Sequence, residues 1–130
     1  MKKISTIGVL CIASLSVTSC APALNSEDAC EELNSYAGEV SDTVGNMTDN
    51  IDDPDRLATF ATRLVEISDE IDGLNIADEE LGQAVSEWAG STREVGSLSI
   101  DLDRSTDIPA LRSAIDEFVI SNNKVIRLCD

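Results

Sequence analysis

Apolar residues recur at intervals of three and four positions along most of the chain, and this periodicity constrains the fold more than any other feature of the sequence. Four rows of this kind follow one another, and they begin at Cys30, Leu57, Leu81 and Ile108. Such spacing places the apolar side chains along one side of an α-helix. Because no segment alternates apolar and polar residues in steps of two, we expect helices and no strands.

The rows also predict which side chains form the core. In helix order, the predicted core positions are Cys30, Leu33, Ala37, Val40, Val44, Met47 and Ile51; Leu57, Phe60, Leu64, Ile67, Ile71 and Leu74; Leu81, Val85, Trp88, Thr92, Val95, Leu98 or Ser99 and Leu102; and Ile108, Leu111, Ile115, Phe118, Asn122, Val125 and Cys129. Asn122 is a polar residue within the fourth row. It is either a core residue that fixes helix register or a contact to a ligand, or else the row is slightly misphased and Val119 and Ile126 point inwards.

Capping residues and glycines predict where the helices begin, end and approach one another. The predicted starts are Asn25 or Ser26, Asp53-Pro54, Asn75 or Asp78, and Asp107 with Pro109. Oxygen-bearing side chains at these positions accept hydrogen bonds from free backbone amides, and proline suits the first turn. Gly73 is expected to end the second helix in a left-handed conformation. In the third helix, the seven-residue spacing of Gly82, Ala89 and Gly96 would let a neighbouring helix approach closely.

Four amphipathic helices joined by short turns favour an all-α fold, an up-down four-helix bundle over residues 26–130. In this topology the start of the first helix and the end of the fourth lie at one pole. The turns that follow the first and third helices lie at the opposite pole. A three-helix arrangement with one broken helix, or a longer helical hairpin, is the alternative.

The first 20 residues have the features of an export signal. Met1-Lys2-Lys3 is a short basic start. Residues 4–17 form an apolar stretch that is interrupted only by Ser, Thr and Gly and is too short to span a bilayer as a helix. The residues that follow, Val17-Thr18-Ser19-Cys20, resemble the lipobox of bacterial lipoproteins. The resemblance implies that residues 1–19 are removed, that Cys20 is lipidated and that residues 20–25 form a tether. The alternative is a plain secretory signal in which Cys20 is incidental.

The cysteine count follows from this resemblance. Cys11 leaves with the signal peptide and Cys20 carries lipid, so Cys30 and Cys129 remain. Two thiols outside the cytoplasm most often pair, and the bundle topology brings these two to the same pole. We therefore expect a disulfide that closes the bundle between its first and last helices. The alternatives are a reduced pair and, because the spacing is not CxxC, less readily a redox pair.

The chain is strongly acidic. It has 25 Asp and Glu against 9 Lys and Arg, and removal of Lys2 and Lys3 with the signal leaves a formal charge of −18. Such a charge argues against nucleic acid as a partner and repels anionic lipid head groups. Attachment to the lipid membrane would therefore depend on acylated Cys20. The chain contains no histidine, which excludes histidine-based metal sites and catalytic triads.

Aspartates cluster in two of the predicted turns, at the pole expected to lie away from the membrane. They are Asp49, Asp52 and Asp53 in one turn and Asp101, Asp103 and Asp107 in the other. Asp101-x-Asp103-x-Ser105-x-Asp107 resembles the opening of an EF-hand calcium loop. Thr106 stands where that family has its turning glycine, and Arg112 stands where it has its closing glutamate. We expect no cofactor, with a weak Ca²⁺ site shared between the two turns as the alternative to solvated turns and helix caps.

Trp88-Ala89-Gly90 is similar to the W-x-G signature of the small helical-hairpin substrates of type VII secretion. In that family the tripeptide lies in a turn, whereas here the apolar row continues through it, so Trp88 is expected in the core. No two carboxylates are marked by the sequence as a buried, facing pair, so glycosidase-type catalysis is not indicated.

These observations predict a location but no specific activity. We expect a non-enzymatic domain that is held outside the cytoplasm, at the cell membrane or outer membrane, and binds an envelope or extracellular protein. Basic partners would be favoured by charge. The alternatives are a carrier or sensor of divalent cations or small ligands, a phage-exclusion or immunity-type lipoprotein, and a purely structural envelope spacer.

Overall fold

Four long α-helices account for most of the chain that the computed structural model describes, namely residues 22–100, 102 and 107–130. The helices are α1 (Ser26–Asp49), α2 (Pro54–Asp72), α3 (Glu79–Ile100) and α4 (Ile108–Cys129). Within the described ranges there is no strand, and the one sheet-like contact is an isolated bridge between Leu24 and Ile76. The predicted signal peptide and Cys20 lie outside these ranges, as do Asp101 and Asp103 of the predicted cation site.

The helix starts are formed by the capping side chains that the sequence predicts. Asn25 Oδ1 accepts a hydrogen bond of 2.8 Å from the backbone amide of Asp28, and Asp53 Oδ1 accepts one of 3.2 Å from the backbone amide of Arg56. Asp78 Oδ1 accepts from the Leu81 amide at 2.9 Å, so Asp78 rather than Asn75 caps α3. Asp107 precedes α4, but its side chain makes no capping hydrogen bond.

The predicted left-handed end of α2 is wrong. Gly73 has φ −80° and ψ −5°, which is a right-handed conformation open to any residue. Its amide donates to the Asp69 carbonyl at 3.1 Å, and the Leu74 amide donates to the Ile71 carbonyl at 3.1 Å. The last turn of α2 is satisfied by these bonds, so no left-handed residue is needed.

The helices run up and down, and each packs mainly against its neighbours in sequence. The predicted disulfide is confirmed: Cys30 near the start of α1 is bonded to Cys129 at the end of α4, with Cα atoms 5.6 Å apart. At the opposite pole, Ile51, Pro54 and Leu102 border one small pocket, so the two interhelical turns there lie side by side. The architecture is therefore the predicted four-helix bundle closed by a disulfide.

The core is deepest between α2 and α3. Leu64, Ile67 and Ile71 of α2 are fully buried, as is Trp88 of α3. These two helices approach most closely at Gly96, where a Cβ would lie 2.8 Å from Val65 Cγ2 and 2.9 Å from the Ala61 carbonyl oxygen. The predicted role for small residues on α3 is thus confirmed at Gly96. At Gly82 the atom nearest to an added Cβ would be 3.7 Å away, which is an ordinary van der Waals contact, so alanine would fit there.

The rows of α1 and α4 are buried less completely than predicted. Leu33, Val40 and Met47 of α1 are buried, but Ile51 is exposed, and so is Ile115 of α4. The prediction that Ile51 and Ile115 belong to the core is wrong. The reason is that α1 and α4 contact each other far less than any other adjacent pair of helices. The side chains on their facing sides are therefore left partly uncovered.

Candidate functional site

An open groove separates α1 from α4, and we call it the α1–α4 groove. It contains two cavities, one of about 340 Å³ beside the disulfide and one of about 260 Å³ towards the opposite pole. Cys30 and Cys129 border the first cavity, so the disulfide closes one end of the groove. Ile51 and Leu111 border the second cavity, near the other end of the two helices.

The groove walls are formed by residues that repeat every seven positions. On the first side they are Cys30, Ala37 and Val44 of α1 and Ile51 just after its end, and on α4 they are Ile115, Asn122 and Cys129. A seven-residue step returns to nearly the same side of a helix, so each set forms one stripe. Both stripes were predicted from the sequence as core positions. The structure brings them to facing sides of one groove instead of packing them against each other.

Exposed aliphatic side chains of α4 enlarge the apolar wall. Ile115 is 42% exposed, and Val119 and Ile126 are each 47% exposed, although all three border the cavities. Burying such a side chain contributes about 1.5–3 kcal/mol. Exposed aliphatic residues that lie together in this way are typical of surfaces that another molecule covers. Sequence reasoning missed this stripe because its spacing is also that of a core.

Asn122 lies in the first cavity and is half-buried. The alternative in which Val119 and Ile126 point inwards is wrong, since each is 47% exposed. The buried residues in this part of α4 are Ser121 and Val125. Asn122 presents an amide, which can both donate and accept hydrogen bonds, at the edge of the cavity.

Trp88 forms part of the first cavity from the side of α3. It lies in the middle of that helix and is only 1% exposed, as predicted for a core residue. Within the described part of the chain its indole nitrogen Nε1 has no hydrogen-bond partner. Leaving a buried N–H without an acceptor costs about 1–3 kcal/mol. Because Trp88 is the single tryptophan of the chain, its fluorescence reports on this cavity alone.

Acidic groups flank the groove on the α1 side. Helix α1 contains seven Asp and Glu residues and no Lys or Arg. Two of them, Glu27 and Glu31, border the first cavity, together with Asp130 after the end of α4. The disulfide end of the groove is therefore electronegative and would favour positively charged groups on a bound molecule.

Several basic side chains are paired elsewhere in the bundle. Arg63 of α2 contacts Glu39, Glu66 and Glu70, while Arg93 contacts Asp69 and Lys124 contacts Glu87. The pairs with Glu39, Asp69 and Glu87 join neighbouring helices, while those with Glu66 and Glu70 lie within α2. They leave the acidic character of the α1 side of the groove unchanged.

Tyr36, at the α1–α2 interface, has a raised pKa. Burial raises the pKa of Tyr36 above its usual 10.0, and the nearby carboxylates of Glu70, Glu32 and Glu39 raise it further. Both effects disfavour the tyrosinate anion. Tyr36 does not border either cavity of the groove, so this shift belongs to the packing of α1 on α2.

The predicted cation site is only partly covered by the structure. Among its described members, Asp53 caps α2 and lies 3.7 Å from Arg56 Nε, while Asp49 and Asp52 are exposed and Asp107 is half-buried. In the part of the chain that the structure describes, no group of three or more His, Cys, Asp or Glu side chains could hold a metal ion. A Ca²⁺ site that includes Asp101 and Asp103 stays a prediction.

None of the helices in residues 22–100 and 107–130 is long and apolar enough to cross a membrane. No protein-family model, curated protein or solved structure matches the chain.

Proposed function

We propose that the protein is a lipid-anchored, non-enzymatic binding domain that is held outside the cytoplasm and recognises another protein of the envelope or its surroundings. The observation that carries this proposal is the α1–α4 groove, whose apolar side chains are arranged like a helix-packing core but are exposed. Protein interfaces are built around such apolar patches with polar margins.

The anchoring step rests on the resemblance of Val17–Cys20 to a lipobox. A diacylated or triacylated Cys20 would hold the domain stably at a membrane surface. The backbone of Leu24 supports a defined orientation, because its amide donates to the Asn75 carbonyl at 2.7 Å and its carbonyl accepts from the Ala77 amide at 2.8 Å. The four residue-to-residue steps from Cys20 to Leu24 span at most about 14 Å. The disulfide pole would therefore lie close to the lipid, with the groove extending away from it.

Capture of the partner in its native setting tests the proposal. The anchored protein is crosslinked in intact cells, extracted gently with detergent and affinity-purified, with Cys20→Ala as the unanchored control. We expect a specific protein that is enriched with the anchored form and lost with the control. If both forms enrich the same background proteins, the proposed function fails.

The first cavity favours a second candidate, a carrier of small ligands. Its volume of about 340 Å³ is within the range of small-molecule sites. Trp88 lines it, and the indole N–H of this residue has no acceptor in the described part of the chain. Native mass spectrometry of the protein purified from its host distinguishes the two functions. A carrier would retain a ligand of constant mass, and substitution of Trp88 by Phe would reduce that retention.

A further inference from the structure

We propose that the occupant of the α1–α4 groove is an amphipathic α-helix of another protein, with aliphatic residues on one face and lysine or arginine beside them. This inference rests on the proposed function and specifies the partner's recognition element. The bound helix would lie along the groove and cover the side chains that α1 and α4 leave open to solvent. Helix-in-groove docking of this kind is a common form of peptide recognition.

The length and direction of the groove favour a helix over a compact ligand. The two cavities lie one after the other between the same pair of helices, bordered on α1 from Glu27 to Thr48. At 1.5 Å per residue, this part of α1 is about 31 Å long, which corresponds to a partner helix of about 20 residues. A small molecule that filled one cavity would leave the other uncovered.

The periodicity of the walls has the same implication. The exposed wall residues Ile115, Val119 and Ile126 follow one another at steps of four and seven. Opposite them, Val44 of α1 and Ile51 just after its end are separated by a step of seven. Side chains at these spacings form ridges and holes that fit the i, i+4, i+7 side chains of another helix. The partner would therefore present its apolar residues at the same spacing.

Two glycines on α1 leave room for the backbone of a helix. Gly38 and Gly45 follow Glu31, which borders the first cavity, by seven and fourteen residues, so they lie along the same margin of the groove. At both positions an added Cβ would meet nothing within 4 Å. Nothing described in this chain requires glycine there, although glycine weakens a helix interior. Within the bundle, the missing side chain of Gly96 lets the backbone of α2 lie close to α3. In the same way, Gly38 and Gly45 would let the backbone of a docked helix lie close to α1.

Charge selects a basic partner rather than a second copy of this chain. Helix α1 carries seven acidic residues and no basic residue, and the chain after the predicted cleavage has a formal charge of −18. Two such surfaces repel one another, whereas lysine or arginine beside the apolar face of a partner helix would be attracted to Glu27 and Glu31.

Site-specific photocrosslinking in the native host tests the proposal. The photoreactive residue p-benzoylphenylalanine replaces Gly45 in the full-length anchored protein, and in a control it replaces Gly90. Gly90 is also a helix-interior glycine with nothing within 4 Å of its Cβ position, but it lies on α3 two residues after the buried Trp88 and is exposed. We expect position 45, and not position 90, to crosslink to one protein through a segment with basic residues and aliphatic i, i+4, i+7 spacing.

The crosslinked segment is then synthesised and titrated into the full-length protein in neutral-lipid nanodiscs, with Trp88 fluorescence as the readout. We expect Gly45→Leu to weaken binding by at least about tenfold and Gly90→Leu to leave it unchanged. Glu27→Gln together with Glu31→Gln should weaken binding and reduce its dependence on salt.

The outcomes separate this inference from the proposed function. If a partner is captured by general crosslinking but only position 90 reacts with it, the groove proposal is overturned and the proposed function survives. Crosslinks from position 45 to the same chain would show a second copy as the occupant, and a segment without basic residues would also overturn the proposal. If neither position nor general crosslinking captures a protein, both proposals fail.

Discussion

Replacing Gly96 by Ala should destabilise the bundle, whereas the same change at Gly45 should stabilise it. At Gly96 the new methyl group would lie 2.8 Å from Val65 Cγ2 and 2.9 Å from the Ala61 carbonyl oxygen. The Val65 side chain can turn away, but the carbonyl is part of α2, so α2 and α3 must separate slightly. At Gly45 the methyl group would meet nothing within 4 Å. The two variants thus share one chemical change and differ only in the space around it.

The magnitude follows from two opposing contributions. Alanine is favoured over glycine by about 1 kcal/mol in a helix interior, and overpacking a core costs about 1–3 kcal/mol. We therefore expect Gly96→Ala to lose up to about 2 kcal/mol and Gly45→Ala to gain about 1 kcal/mol. For a domain of this size these values correspond to a Tm lower by up to about 8 °C and higher by about 4 °C, respectively.

Thermal and urea unfolding followed by circular dichroism at 222 nm measures both variants against the wild type under identical conditions. The urea dependence of the free energy should be the same for all three proteins, which shows that the comparison concerns stability alone. The reasoning would be refuted if Gly96→Ala melted at or above the wild-type temperature. A loss of stability for Gly45→Ala would show that α1 is covered at that position.

Three further perturbations test other parts of the structure. Cys30→Ser removes the disulfide that closes a loop of 99 residues, and it should lower the free energy of unfolding by up to about 4.7 kcal/mol. A melting temperature equal to that of the oxidised wild type would contradict this. Ile67 is fully buried, so Ile67→Asp should abolish the helical signal, while the exposed Glu66→Asp serves as its control; a folded Ile67→Asp variant would reject the phase assigned to α2. Tyr36 is the single tyrosine, and its absorbance at 295 nm should titrate with a midpoint above 10.0 in the folded protein. Because its pKa is raised on folding, its contribution to stability is present below pH 10 and is lost as the pH rises through the folded pKa, and Tyr36→Phe should remove this alkaline loss.

Local chemistry and connectivity were sufficient to predict the architecture. Asp53 followed by Pro54 starts a helix because the carboxylate accepts a free amide and proline suits the first turn, and this depends on neighbours in sequence alone. The row from Leu57 to Ile71 is buried as predicted except at Phe60, which is partly buried, since an amphipathic helix packs with its apolar side inwards. The Cys30–Cys129 bond followed from the topology, because an up-down bundle brings those two helix ends together.

The candidate site was not predictable in the same way. The spacing of Ile115 and Ile51 is that of a core residue whether or not a helix covers it, so periodicity alone cannot distinguish a packed stripe from an open one. Gly38 and Gly45, beside the row of α1, and Asn122, within the row of α4, were the signals in the sequence that differ from a continuous core. Whether these positions are covered or open to solvent depends on the distance between α1 and α4, which are remote along the chain.

The sequence by itself therefore determined the helices, their order, their buried sides and the disulfide, because each follows from local hydrogen bonding, periodicity and chain connectivity. Only the tertiary structure decided which of the apolar rows are covered. The four helices do not pack equally closely. Helices α2 and α3 approach each other closely at Gly96, whereas α1 and α4 make few contacts apart from the disulfide between Cys30 and Cys129. Side chains with the same spacing thus form a core on one side of the bundle and an exposed groove on the other.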